Sequence, residues 1–425
     1  MLERVSPEEV GLSSHRLERV EAWLHQQIDS ERLSGASVLI GRQGKVAYLQ
    51  AAGLAEQGTD QAFDEDTIVR IFSMTKAVTT VAAMMLFERG AFQLDDPVAK
   101  YIPAFADTPV WSGPGHELSQ TETQQSPMTV RHLMTHTSGL TYGFMRSNPV
   151  DARYREVDLE FPGAADNLAE FVELLAGIPL LCQPGSQWNY SVSTDVLGRL
   201  VEIWSGESLQ EFFHAEIFVP LSMNETGFHV ADHLQSRFAA LYAPLSGGDM
   251  SNVGSAQKSD DAASRGGLKL MERGVGSRYL QPTQLFSGGG GLTSSIGDYA
   301  RFCQMLLNGG ELDGARVLGR KTVEYMRLNH LPDQRDMAAM GQPVWSETSY
   351  DGIGFGLGFA VVIDPVKAHI VTSVGEHHWG GAASTFFWLD PEEDLFVVFF
   401  TQLMPSSTYP IRRELRTLVY QALIA

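Results

Sequence analysis

The chain has 425 residues, 44% of them hydrophobic and 19% charged, with a net charge of −20 at neutral pH. That length allows two lobes or one large α/β body, and the composition is that of a globular protein. The acidic balance disfavours nucleic acid and anionic membrane surfaces as partners, and no apolar run approaches membrane-spanning length.

The polar opening Met1-Leu-Glu-Arg-Val-Ser-Pro-Glu-Glu9 lacks a signal-peptide core, so a cytoplasmic protein is expected. Ser13 to about Ser30 has helical spacing, with Leu17, Val20, Leu24 and Ile28 on one face. Two strand-like runs follow, Ala36-Ser-Val-Leu-Ile40 and Lys45-Val-Ala-Tyr-Leu49, joined by a Gln43-Gly44 hairpin turn. Asp66 to Ser73 reads as a short β-type approach, and the run from Ser73 to Gly90 as a mostly buried helix with a glycine stop. From Gly90 to Leu285 the patterns are mainly helical or loop-like. Val130 to His136 is one helix. Asp166 to Ala176 is another, with Asp166 as N-cap and Gly177 as stop. Pro114 to Pro127 and Ser246 to Arg265 read as long surface loops. Strand chemistry returns in Gly358 to Ile363. It continues in a hairpin of Ala383 to Leu389 and Leu395 to Phe400 across Asp390 to Asp394. A helix from Pro410 to about Ile424 closes the chain.

Strands at both ends with helices between imply an α/β (α+β) fold whose antiparallel sheet is built from both termini. The expected division is an α/β domain of residues 1–75 and 286–425, a mainly helical domain of 76–285, and a catalytic cleft between them. The two cysteines, Cys182 and Cys303, have no recognisable spacing and read as free buried thiols.

Ser73-Met-Thr-Lys76 carries the sharpest chemical signal. A serine and a lysine three residues apart share a helix face. The serine sits where unpaired backbone N–H groups favour developing negative charge, and the lysine can take its proton when neutral. The pattern alone is weak, since about one Ser-x-x-Lys match is expected by chance in a chain this long. A second one, Ser255-Ala-Gln-Lys258, lies in a polar Gly/Ser/Asp-rich stretch with no apolar periodicity after it, and context favours Ser73.

Three further segments are candidates. Tyr190, in Trp188-Asn-Tyr-Ser-Val-Ser193, can act as base or proton shuttle; a phenol with an ordinary pKa of about 10 needs a cationic neighbour such as Lys76 to do so near neutrality. In Glu376-His-His-Trp-Gly-Gly-Ala382 the glycines allow close approach to a substrate carbonyl and offer an N–H. Ser287-Gly-Gly-Gly-Gly-Leu-Thr-Ser-Ser295 lacks the Lys-Ser/Thr of a phosphate loop and reads as a flexible connector, followed by a helix capped near Ser295 with Asp298 three residues on.

Together these segments resemble the class C β-lactamase-like branch of the serine β-lactamase and penicillin-binding-protein superfamily, with its family VIII carboxylesterases and lovastatin-type acyltransferases. The resemblance covers nearly the whole chain. It includes Ser6-Pro-Glu-Glu-Val-Gly-Leu12, Ser73-Met-Thr-Lys76, Leu94-Asp-Asp-Pro97, Leu133-Met-Thr-His-Thr-Ser-Gly-Leu140, Tyr190-Ser-Val192, Gly290-Gly-Leu292 and Trp379-Gly-Gly381. It implies that Ser73 is the acylated nucleophile, with Lys76 and Tyr190 as base and shuttle. The oxyanion hole would be the N–H groups of Ser73 and Ala382, or of Gly381 if His378-Trp-Gly380 is the aligned triplet. Two departures stand out. Val192 replaces the asparagine of Tyr-x-Asn, and Trp379 replaces the lysine of Lys-Thr-Gly. A tryptophan cannot pair with a carboxylate, so a neutral, apolar acyl group is expected and efficient lactam hydrolysis is not.

The expectation is a serine carboxylesterase acting on short acyl esters through an acyl-enzyme, with no metal or cofactor. Trp379, Gly380, Gly381, His378, Val192, Tyr142, Phe144 and Trp188 are the expected substrate-binding residues. A small-molecule ester would be the partner, and the chain a monomer or homodimer. An acyltransferase, a β-lactamase or D,D-peptidase, and a non-catalytic penicillin-binding-like scaffold are the alternatives. A conventional α/β-hydrolase is excluded by the missing Gly-x-Ser-x-Gly elbow. His132 and His136 lie four apart, but no Glu follows His132 as a zinc motif needs, so a structural role is expected; the same is expected of His377-His378 against zinc.

Overall fold

The computed structural model describes residues 2–160, 163–245, 266–341, 350–406 and 408–425. The loop expected over 246–265, with its Ser255-x-x-Lys258 match, lies outside the described residues.

The first helix, α1 (Ser14–Asp29), is capped by the Ser13 side chain, which accepts from the Arg16 N–H. Strands β1 (Gly35–Arg42) and β2 (Lys45–Gly53) pair across a turn whose two central residues, Gln43 and Gly44, both have left-handed backbone (φ 51° and 77°). That is the primed turn whose twist suits a two-residue hairpin. Strand β3 (Ile68–Arg70) leads through one 3₁₀ turn, Phe72–Met74, into helix α2 (Thr75–Glu88), which is buried from Thr75 to Leu86 and ends before Gly90 at φ 78°. The α-helix therefore starts two residues later than the sequence suggested. Helix α3 (Val130–Met134) is shorter than expected, because His136 takes φ 55°. Helix α4 (Leu168–Ala176) is capped by Asn167, whose side chain accepts from the Glu170 N–H, rather than by Asp166; Gly177 stays right-handed at φ −77°. Helix α5 (Ser193–Ser205) packs against α2.

In the last third, β4 (Thr293–Ser295) pairs with β3, and Ser295 caps α6 (Ile296–Leu307) through the Asp298 N–H, as the sequence suggested. Then come β5 (Ile353–Phe355), β6 (Ala360–Val362), β7 (His377–Gly380), β8 (Phe386–Asp390), β9 (Leu395–Thr401) and α7 (Ile411–Tyr420). Trp379 and Gly380 thus end a strand, while Gly381 and residues 383–385, the latter expected to be extended, belong to the turn, where Ser384 has φ 66°.

One seven-stranded antiparallel sheet runs β5-β6-β7-β8-β9-β1-β2, so β9 and β1 join the two chain ends, Ala36 opposite Thr401. The unbroken apolar run of β9 reflects burial on both faces. Leu395, Val397 and Phe399 pack with Leu17, Val20, Leu24, Leu415 and Val419 of the terminal helices. Phe396, Val398 and Phe400 pack with Val78 and Val81 of α2 and Tyr299 and Phe302 of α6. Helix α2 is thereby fixed between the sheet and the helices of the chain's middle, which sets the position of its first turn. Cys182 and Cys303 are both free and buried. Among the described residues no helix is long and apolar enough to cross a membrane.

Candidate active site

Ser73 stands on the 3₁₀ turn that opens α2 and Lys76 in the first turn of the α-helix, and side chains three residues apart share a helix face. Lys76 Nζ accordingly lies 3.1 Å from Ser73 Oγ. The hydroxyl of Tyr190, from the segment entering α5, lies 2.6 Å from the same Oγ. Lys76 is buried and has two other acceptors, the Gly289 carbonyl at 2.6 Å and the Tyr142 hydroxyl at 2.9 Å. An amine has two N–H groups and one lone pair; an ammonium has three N–H groups. With Gly289 and Tyr142 taking two N–H groups, the remaining position points at Ser73 Oγ in either state. It is a lone pair able to receive the serine proton, or an N–H able to return it.

Phe72, just before the serine, holds φ 42°, a left-handed backbone that costs a non-glycine residue about 1–3 kcal/mol. Its ring packs with Leu241, Ala382, Ala383 and Met404, which ties the serine turn to the β7–β8 turn. Gly381 makes the approach possible, since a Cβ there would sit 2.4 Å from the Ile71 carbonyl oxygen. The Gly381 N–H is spent within the hairpin, donating to Thr385 O at 2.7 Å. The N–H groups of Ser73 and Ala382 donate to no hydrogen bond among the described residues, and both residues are partly accessible. Of the two oxyanion candidates beside Ser73, Ala382 has the free donor.

The beta-lactamase family model matches residues 20–421. The chain belongs to that family. An uncharacterized protein of Mycobacterium tuberculosis is 32% identical over 390 residues, 91% of this chain and 90% of that one. Esterase EstB of Burkholderia gladioli is 29% identical over 430 residues, 95% of this chain and 94% of its own. Among solved structures, EstCE1, a hydrolase with promiscuous acyltransferase activity, superposes with a TM-score of 0.77 at 28% identity, covering 96% of this chain and 99% of that one. The fold is that of the β-lactamases and penicillin-binding proteins, and the chain is a serine hydrolase or acyltransferase of that superfamily.

Aromatic rings wall this family site. Tyr190 is flanked by Trp188 (centroids 6.4 Å, stacked), Tyr142 (5.1 Å), Trp379 (5.4 Å) and His136 (5.0 Å). Phe144, half-buried, stacks on Tyr142 at 4.6 Å. Trp188 is fully buried, so it backs Tyr190 and offers no accessible surface of its own, and Val192 is buried at the N-cap of α5. Burial, with Lys76 nearby, holds the His136 imidazole well below its ordinary range, so it is neutral; its Nδ1 lies 3.2 Å from Ser191 Oγ. His132 closes the cap of α3 by accepting from the Thr129 N–H.

His378 does not join the site. Its Nδ1 lies 2.9 Å from Glu376 Oε1, and Arg416 of α7 clamps the same carboxylate with bonds of 3.0 and 2.8 Å. Strand alternation explains this, because His378 leaves β7 on the face opposite Trp379.

Sequence reasoning missed two parts. Tyr142 was read as a wall but also bonds Lys76. The glycine segment is no flexible connector: Gly289 accepts from Lys76, Gly288 accepts from Thr79 Oγ1 at 2.7 Å, and none of residues 288–291 has positive φ. Glycine is needed there for closeness, since a Cβ on Gly289 would lie 2.4 Å from Asp195 Oδ2. Four consecutive glycines beside a Ser were the signal available in the sequence, and they admit close packing as well as flexibility.

Proposed function

We propose that this chain is a serine carboxylesterase that hydrolyses short-chain acyl esters through an acyl-enzyme on Ser73. The observation that carries the reading is the convergence of Lys76 Nζ and Tyr190 OH on Ser73 Oγ, beside the free N–H groups of Ser73 and Ala382. Ser73 Oγ bonds to the ester carbonyl carbon while Lys76 takes its proton. The two N–H groups hold the oxyanion, a contribution worth roughly 3–4 kcal/mol per donor. Tyr190 passes a proton to the leaving alcohol as the C–O bond breaks. Water then attacks the acyl-enzyme and gives its proton to the Tyr190 oxygen left by that transfer, while the Lys76 ammonium returns the serine proton to Oγ as the acid leaves. The Trp379 ring in place of a lysine favours a neutral acyl group over the carboxylate of a β-lactam.

Hydrolysis of a p-nitrophenyl ester series and of nitrocefin by wild type, Ser73→Ala and Ser255→Ala tests this. Fast cleavage of acetate and butyrate esters, slow nitrocefin turnover, and loss in Ser73→Ala alone are expected. Rapid turnover of long-chain esters only, or full activity in Ser73→Ala, contradicts the reading. The similarity to EstCE1 supports acyl transfer as a second activity of the same acyl-enzyme; adding an alcohol acceptor would then divert product from acid to ester.

A further inference from the structure

Asp195 lies in the first turn of α5 and is fully buried. Its Oδ1 accepts from Ser287 Oγ at 2.6 Å and from the Gly289 N–H at 2.9 Å; its Oδ2 has no hydrogen-bond partner among the described residues. A carboxylate so buried and half-bonded is costly unless an opposite charge stands near. Lys76 supplies it, because Gly289, which donates its N–H to Asp195, accepts from Lys76 Nζ with its carbonyl at 2.6 Å. Among the described residues, the other ionisable groups around the pair add no positive charge. Tyr142, Tyr190 and His136 face Lys76, and Glu160 acts on Asp195 from the segment after helix Pro149–Glu156. Burial raises the Asp195 carboxyl, while Lys76, Ser287 and the Gly289 N–H pull it back toward the ionised form.

We propose that Asp195 is the counter-ion of Lys76, a positioning residue that acts through the Gly289 peptide to hold the lysine's charge and aim at Ser73. The inference rests on Lys76 serving Ser73 as proposed above. Neutralising Asp195 removes the one anion that the Gly289 peptide links to Lys76, so the proton balance of the network around Ser73 shifts.

The test is the rate at which a fluorophosphonate probe labels Ser73 as a function of pH, which needs no natural substrate. In Asp195→Asn the acid limb is expected to move down by about 0.5–1 pH unit. Ser287→Ala, which keeps the carboxylate, leaves the limb in place. A fall in rate without movement of the limb means Asp195 is merely structural and overturns the inference. If Asp195→Asn does not fold, Gly289→Ala carries the test, since its Cβ displaces Oδ2; the limb must again move down, and an unmoved limb overturns the inference. Absence of labelling in wild type at every pH overturns the site reading itself. Labelling with an unmoved limb overturns the counter-ion role alone.

Discussion

Replacing Tyr190 by Phe separates chemistry from packing at this site. The hydroxyl's hydrogen bond is the 2.6 Å one to Ser73 Oγ, while the ring is held by Trp188, Trp379, Tyr142 and His136 and lies 4.7 Å from Lys76 Nζ. Phenylalanine keeps all of that area. The folded state loses one hydrogen bond, worth about 1 kcal/mol. The transition state loses its proton donor and acceptor, typically worth about 100- to 10,000-fold, or about 3–5 kcal/mol of barrier. The assay is kcat and KM on p-nitrophenyl butyrate beside a thermal melt. A fall in kcat of at least about 100-fold, little change in KM and a Tm within a few degrees of wild type are expected. Adding Tyr190→Phe to Ser73→Ala should cost little more than Ser73→Ala alone, because groups that act as one unit are not additive. Activity within about tenfold of wild type would refute a proton-transfer role for Tyr190, and a collapse of Tm would place the effect in packing.

Glu160 provides a pH test of stability. Burial pushes its carboxyl up to about 7, with the Asp195 charge adding to this and the Gly143 and Phe144 N–H groups and Arg155 opposing it. The folded state therefore holds this proton more tightly than the unfolded one. Its stabilisation is complete below the ordinary carboxylate range near 4.5 and is lost as pH rises through about 7, at most about 3 kcal/mol at 1.36 kcal/mol per pH unit. Glu160→Gln should gain Tm over wild type on going from about pH 5 to about pH 8; a gap that does not change with pH contradicts this. At Arg416, substitution by Met leaves the Glu376 carboxylate, fully buried, without its bidentate partner. About 3–5 kcal/mol of stability should be lost in denaturant melts. Most of it should return when Glu376→Gln is added; no recovery would show that the pair is not the source of the loss.

The legible parts of this protein were local. Ser73 and Lys76 are three residues apart, so one helical turn brings them together whatever the rest does. The Leu395–Phe400 run announces a strand because both its faces are buried, and Gln43-Gly44 announces its turn. Strands of three residues such as Ile353–Phe355 carry too short a pattern to read. Contacts across long separations were hidden for a different reason. Tyr142 reaches Lys76 over 66 residues, and Asp195, in the first turn of a helix, looks like any acid complementing a helix N-terminus. His378 was within reach of sequence reasoning: the two-residue period of a strand already separates it from Trp379.

The central claim is a covalent acyl group on Ser73. Rapid acid quenching of the enzyme during turnover of p-nitrophenyl butyrate, followed by peptide mass spectrometry, tests it directly. A butyryl adduct on the peptide bearing Ser73, absent in Ser73→Ala and enriched when deacylation is slowed by Tyr190→Phe, is the predicted result. Ester turnover with no adduct on Ser73, or with the adduct on Ser255, would contradict the account.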